Sequence, residues 1–240
     1  MIELKKHLLV GCSFTDPRWL QNAIPWSIEY AKTHPSYIVA HAGMGITGIC
    51  TEALYYLKDF DDVSKVIIIL PTMWRMDIEV DQETYLCNTM VDLVLAHSSW
   101  KIKTPAVRKW LISGGLHFDK NTEIGKIFEV LYKHRGFLVL AKEHFRSLTL
   151  LIEYCKIHSI EYCISAIRDP MDQLDGLDYI REDFCKLLEE VEYNNWFKFD
   201  GKFIDQYLNH DHHPTTEEHL ILCRYIIENF KQGNNHGKTI

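Results

Sequence analysis

Leu8-Leu9-Val10-Gly11-Cys12-Ser13-Phe14-Thr15 sets three contiguous apolar residues directly against a glycine, a cysteine and two hydroxyl-bearing residues. Two readings compete. Leu9-Val10-Gly11-Cys12 fits the small-residue pattern ahead of a lipid-modified bacterial cysteine. A secretory signal, however, needs a basic start followed by roughly 7–15 apolar residues. Only Leu8, Leu9 and Val10 are contiguous here, behind Glu3, Lys5, Lys6 and His7. The stretch therefore reads as a short buried strand that stops at a turn.

Three further segments, 37–40, 66–70 and 162–167, are short and rich in β-branched or aromatic residues, the pattern of strands covered on both faces. Helical patterns separate them. Pro25 suits the first turn of a helix over 26–32, and Thr47 can cap a helix over 52–57. Residues 83–97 carry a helical stripe of Leu86, Met90, Leu93, Val94 and His97. A further helix over 148–158 delivers the chain into the strand at 162–167. This alternation predicts a mainly parallel sheet with helices on both sides, a three-layer α/β/α arrangement. Residues 98–147, with Trp100, Trp110, Gly114-Gly115 and a helical pattern over 124–132, read as a helical insertion between the third and fourth strands, a lid or partner surface.

Composition narrows the function classes. With 240 residues and no linker-like or repeated stretch, the whole of 1–240 reads as one domain. A net charge of −7 argues against a nucleic-acid surface, which needs clustered Lys and Arg. The longest apolar run, Val66-Ile67-Ile68-Ile69-Leu70, falls far short of the ~20 residues of a membrane span. The seven cysteines include no Cys-x-x-Cys pair, which argues against a disulfide framework or a cysteine-rich zinc site and for a reducing, cytoplasmic setting.

In an open parallel sheet, ligands bind beyond the carboxyl ends of the strands. The residues there are Gly11, Cys12, Ser13 and Thr15; His41, Gly43, Gly45 and Thr47; Thr72, Trp74, Arg75 and Asp77; and Arg168 and Asp169. A second informative stretch is Asn209-His210-Asp211-His212-His213-Pro214-Thr215-Thr216-Glu217-Glu218-His219. Thr215 and Glu218 have capping-box spacing, so a helix should start here and run to about Phe230. Asp211 and His213 then lie in the loop entering it, where a carboxylate can orient an imidazole. Blander readings stand beside these. Ser13 can be a simple turn cap and Cys12 a packed core thiol. The histidines can be a solvated loop or, with Asp211, metal ligands, although adjacent His212 and His213 do not readily point at one ion.

Together these residues resemble the SGNH/GDSL hydrolase superfamily. Gly11-Cys12-Ser13-Phe14-Thr15 looks like its first block, which carries the nucleophilic serine after strand one. Asp211-His212-His213-Pro214 looks like its last block, and Gly43-Met44-Gly45 lies where the family places an oxyanion-hole glycine. The resemblance spans about 8–227 and implies a flavodoxin-like central sheet. It departs from the family at several points. Cys12 replaces the usual aspartate before the serine, Ala40 stands where the second block opens with asparagine, and Pro71-Thr72-Met73-Trp74-Arg75 replaces the Gly-x-Asn-Asp block. The Asp–His spacing is two rather than three. Losing one oxyanion donor typically costs about 10²–10³ in turnover; Thr72 or Arg75 can donate in its place.

The resemblance implies a serine esterase. Ser13 attacks an ester carbonyl, His213 moves the proton, and Asp211 orients His213. The Ser13 and Gly45 amides, with Thr72 or Arg75, would face the oxyanion, and neither metal nor organic cofactor is called for. The implied substrate is a small-molecule or carbohydrate acyl ester, with Trp74, Trp100 and Trp110 as candidate sugar platforms. Three alternatives stay open: an O-acyltransferase, a non-catalytic ligand- or glycan-binding member, and a doubly wound nucleotide- or phosphate-binding protein with a phosphate site at the 43–47 turn before a helix.

Overall fold

The computed structural model describes residues 5–17, 23–79, 110–112, 123–174, 176–198 and 214–231. In chain order its elements are β1 (Lys6–Gly11), α1 (Trp26–Ala31), β2 (Ser36–Ala40), α2 (Ile46–Asp59), β3 (Val63–Leu70), β4 (Asp77–Glu79), β5 (Trp110–Ile112), α3 (Glu123–His134), α4 (Phe137–Ile157), β6 (Glu161–Ala166), α5 (Arg181–Glu190) and α6 (Thr216–Lys231). Four strands form one parallel sheet in the order β2-β1-β3-β6.

The apolar strands are explained by what covers them. Successive side chains of a strand point to opposite faces. Leu8, Val10, Val66, Ile68 and Ile164 accordingly pack with residues of α2, α4 and α5, such as Ile49, Leu148 and Phe184. Leu9, Ile38, Ile67, Ile69 and Cys163 face the other way, onto Trp26 and Tyr30 of α1 and Leu222, Cys223 and Ile226 of α6. The protein is thus α/β with three layers and a flavodoxin-like parallel sheet, as its strand–helix alternation predicts. Both layers are deeply apolar, and full burial of one large side chain contributes about 1.5–3 kcal/mol. Beyond α5 the chain returns along the outer side of β6, where Phe197 N–H donates to Ile164 O at 3.1 Å.

The helix starts separate local from tertiary control. At α6 the sequence signal holds: Thr215 N–H donates to Glu218 Oε2 at 2.5 Å, and Glu218 N–H to Thr215 Oγ1 at 3.5 Å, a reciprocal capping box. At α2 it does not. The N-cap is Gly45, which offers no side chain, and Thr47 lies inside the helix. The Thr47 hydroxyl bonds His144 Nδ1 at 2.9 Å instead. The helix over 148–158 begins eleven residues earlier than the sequence suggests, at Phe137, directly after Gly136 with its φ of 45°. Its first half buries Phe137, Leu140, Ala141, His144 and Phe145. The end of the 98–147 segment is therefore part of the layer covering the sheet.

The helix pattern over 124–132 appears as α3. Before it, β4 and β5 pair antiparallel, Asp77 opposite Ile112 and Glu79 opposite Trp110, so the excursion from the sheet opens at 77. The helical stripe over 83–97, Trp100, the Gly114-Gly115 pair and the side chain of Trp110 lie outside the described residues. Among the described residues no helix is long and apolar enough to cross a membrane.

Candidate functional site at the carboxyl edge of the sheet

The parallel strands end together at Gly11, Ala40, Leu70 and Ala166, so four loops meet at one edge. The first is a tight turn: Thr15 N–H and Asp16 N–H both donate to Cys12 O, at 2.8 and 2.9 Å. Gly11 permits it. A Cβ there would sit 2.2 Å from Thr15 Oγ1 and 3.1 Å from Ile69 O. Thr15 is in turn fixed by α1, since Trp26 Nε1 donates to its hydroxyl at 3.3 Å and Ser27 Oγ donates to its carbonyl at 2.7 Å. Ser13 lies inside this braced turn and is only 4% exposed. Its Oγ is 4.0 Å from Cys12 Sγ, a weak contact with a thiol that is fully buried.

The second loop is tied to the first. His41 N–H donates to Gly11 O at 3.2 Å, and Ala42 N–H donates to Asp16 Oδ2 at 3.2 Å. Gly43 adopts φ 80°, the left-handed conformation that glycine enters without strain. Gly45 then opens α2, and its amide is already engaged: it donates to Asp77, 2.8 Å from each carboxylate oxygen. Gly48 N–H donates to Asp77 Oδ2 at 3.0 Å. Asp77 thus serves from another loop both amides that a capping box would serve from within the helix. The same contact fills the helix N-terminus, so the 43–47 turn holds a carboxylate where the phosphate-binding alternative would seat its anion.

The third loop, 71–77, is held on three sides. Gln173 Oε1 accepts from Met73 N–H at 2.8 Å, His144 Nε2 is 3.1 Å from Met73 O, and Tyr132 OH donates to Trp74 O at 2.6 Å. Trp74 remains 44% exposed, with its ring 4.6 Å from that of Phe137. Thr72 O accepts from Arg75 N–H at 3.4 Å. Arg75 Nη1 makes a long contact of 3.5 Å to Met44 O. Gly45 and Arg75 therefore meet: a Cβ on Gly45 would lie 2.7 Å from Arg75 O.

Two titratable groups shape the field here, Asp77 half-buried and His144 buried. Burial pushes the Asp77 carboxyl up to about 6, against the opposing pull of the Gly45 and Gly48 amides and of Arg75. Burial likewise pushes His144 down to about 4, so it is neutral at pH 7. A neutral ring fits its partners, with Nε2–H donating to Met73 O and Nδ1 accepting from Thr47.

Asp211 and His213 lie outside the described residues. The chain resumes at Pro214, which is buried. Thr216 Oγ1 accepts from Ile24 N–H at 3.1 Å, and the His219 ring meets Phe14, the neighbour of Ser13, edge-on at 6.4 Å. The start of α6 is thereby beside the turn that carries Ser13. Among the described residues no group of three His, Cys, Asp or Glu side chains could hold a metal ion.

The position of Asp77 after a strand carries no sign of its cap role, and no sequence motif marks Asp16, Gln173 or His144. His144 had a visible signal, a polar residue on the apolar stripe of Leu140, Ala141, Phe145 and Leu148. Asp16 and Gln173 had none, because their partners are distant backbone amides. No family model matches this chain, nor does any curated protein or solved structure.

Proposed function

We propose that this protein is a divergent serine esterase of the SGNH/GDSL type, acting on a small-molecule or carbohydrate acyl ester. One observation carries the reading: Ser13 sits in a braced turn at the carboxyl end of central strand β1, with the start of α6 beside it through Phe14 and His219. Asp211 and His213 precede α6 closely in the sequence. In this reading Ser13 Oγ attacks the ester carbonyl while His213, oriented by Asp211, accepts its proton and returns it to the leaving alcohol. The tetrahedral oxyanion is met by the amides of Ser13 and Gly45 and by a donor from Thr72 or Arg75. Water then resolves the acyl-enzyme; a second alcohol in its place makes the same site an O-acyltransferase. The exposed ring of Trp74, backed by Phe137, supplies a flat apolar wall for a sugar. Six described cysteines are unpaired, which supports a reducing compartment such as the cytoplasm.

A second reading, a binding protein without catalysis, is favoured by the engaged Gly45 amide and by the deep burial of Ser13. Labelling with a fluorophosphonate probe separates the two. The esterase reading expects wild type to label and Ser13→Ala and His213→Ala not to. Absence of labelling in folded wild-type protein, together with saturable binding of an acetylated sugar, would select the second.

A further inference from the structure

We infer that Asp77 is a latch on the candidate oxyanion donor: its carboxylate holds the Gly45 amide out of the reaction until β4 moves away or the carboxylate is neutralised. The inference rests on the serine-esterase reading and adds a regulator to it. An amide has one hydrogen. That of Gly45 is shared between both oxygens of Asp77, at 2.8 Å each, and a hydrogen so placed does not face a second anion. The competition is also electrostatic. A developing oxyanion and the Asp77 carboxylate are both negative, and both are drawn to the positive end of the α2 dipole.

The seat is built to carry the latch. The missing side chains of Gly45 and Gly48 leave bare backbone against the carboxylate, where added Cβ atoms would lie 2.9 and 2.8 Å from Asp77 Oδ2. The latch also has a handle. Asp77 is the first residue of β4 and pairs with Ile112 of β5, so displacement of that ribbon withdraws the carboxylate. Among the described residues, the charged and titratable groups that face Asp77 are Arg75 on its own loop and the buried thiol of Cys50 on α2. Arg75 favours the ionised, latched form. Burial favours the neutral one.

The test uses the full chain in two measurements. In amide NMR spectra taken from pH 5 to 8, the Gly45 and Gly48 resonances of wild type should shift together with one inflection near 6. Both should stay flat in Asp77→Asn. In fluorophosphonate labelling at pH 7.5, Asp77→Asn should label Ser13 faster than wild type by about tenfold or more, part of the roughly 10²–10³ of a full oxyanion donor because the amide oxygen can still accept. The variant-to-wild-type ratio should fall towards one as pH drops below 6. Asp77→Ala, which leaves no acceptor at all, should label at least as fast as Asp77→Asn if thermal melting shows it folded. Ser13-dependent labelling of wild type with no acceleration in Asp77→Asn overturns the latch and leaves the esterase reading standing. No Ser13-dependent labelling in any variant at any pH overturns both.

Discussion

Replacing His144 with leucine tests the neutral, doubly bonded imidazole at the heart of the site's support. The side chain is 1% exposed and joins Thr47 on α2 to the carbonyl of Met73. Leucine keeps most of the packing and removes both hydrogen bonds. Stranding the Met73 carbonyl costs about 1–3 kcal/mol. The Thr47 hydroxyl adds less, because it can turn to a carbonyl one turn back. A deficit of about 2–4 kcal/mol at pH 8 is therefore expected. The pH dependence is the sharper part. The histidine pKa falls from 6.5 in the unfolded chain to about 4 in the folded one, so below 6.5 the unfolded state binds the proton and the folded state does not. Wild type then loses about 1.4 kcal/mol per pH unit, or about 3 kcal/mol between pH 6.5 and 4, from this residue alone. His144→Leu has no such proton to bind. His7, also pushed down to about 4 by burial, is present in both proteins and cancels in the difference. Urea unfolding at pH 8, 6.5, 5.5 and 4.5 should show the gap nearly level from pH 8 to 6.5 and then closing as the solution is acidified further. A gap that stays constant over that range would refute the assignment of a neutral, buried His144.

Three further substitutions probe the braces around the site. Gly11→Ala would drive a methyl into Thr15, whose hydroxyl would be 2.2 Å away. Overpacking of this kind costs about 1–3 kcal/mol, so melting should occur several degrees lower, and Trp26 fluorescence should report the lost indole hydrogen bond; an unchanged melt would count against the tight turn. Thr215→Ala should destabilise by about 1 kcal/mol as the α6 cap opens. Adding Glu218→Ala should cost less than the sum of the single changes, since the two side chains cap reciprocally; full additivity in the four-variant denaturation cycle would argue against the box.

The sheet was legible because its strands are covered on both faces, so Val66-Ile67-Ile68-Ile69-Leu70 shows as an unbroken apolar run. The start of α6 was legible because its cap is local, a threonine and a glutamate three residues apart. The start of α2 was not. Thr47 offered a plausible local cap, but a carboxylate thirty-two positions away from Gly45 does the capping. The first half of α4 was obscured by His144, a polar residue set on the helical stripe of Leu140, Ala141, Phe145 and Leu148. Gly45 and Arg75 both follow strands in the sequence, and their backbones meet in the structure. The direction of an amide is another matter, fixed by the loop packed against it, and the engagement of Gly45 by Asp77 has no trace in the spacing of either residue.

The hydrogen bond from Ile24 N–H to Thr216 Oγ1 joins residues 192 positions apart. During synthesis, β1, β2, β3, α2, α4, β6 and α5 all emerge before α6, and together they bury one side of the sheet. Among the described residues, the opposite side, with Leu9, Ile67 and Ile69, has α1 and Phe197 for cover until α6 follows. A nascent chain halted before residue 216 therefore presents a half-dressed, sticky sheet, the kind of surface chaperones bind. The late closure of that wall is also what brings α6 to the Ser13 turn, so completion of the candidate site and protection from aggregation fall to the same late step.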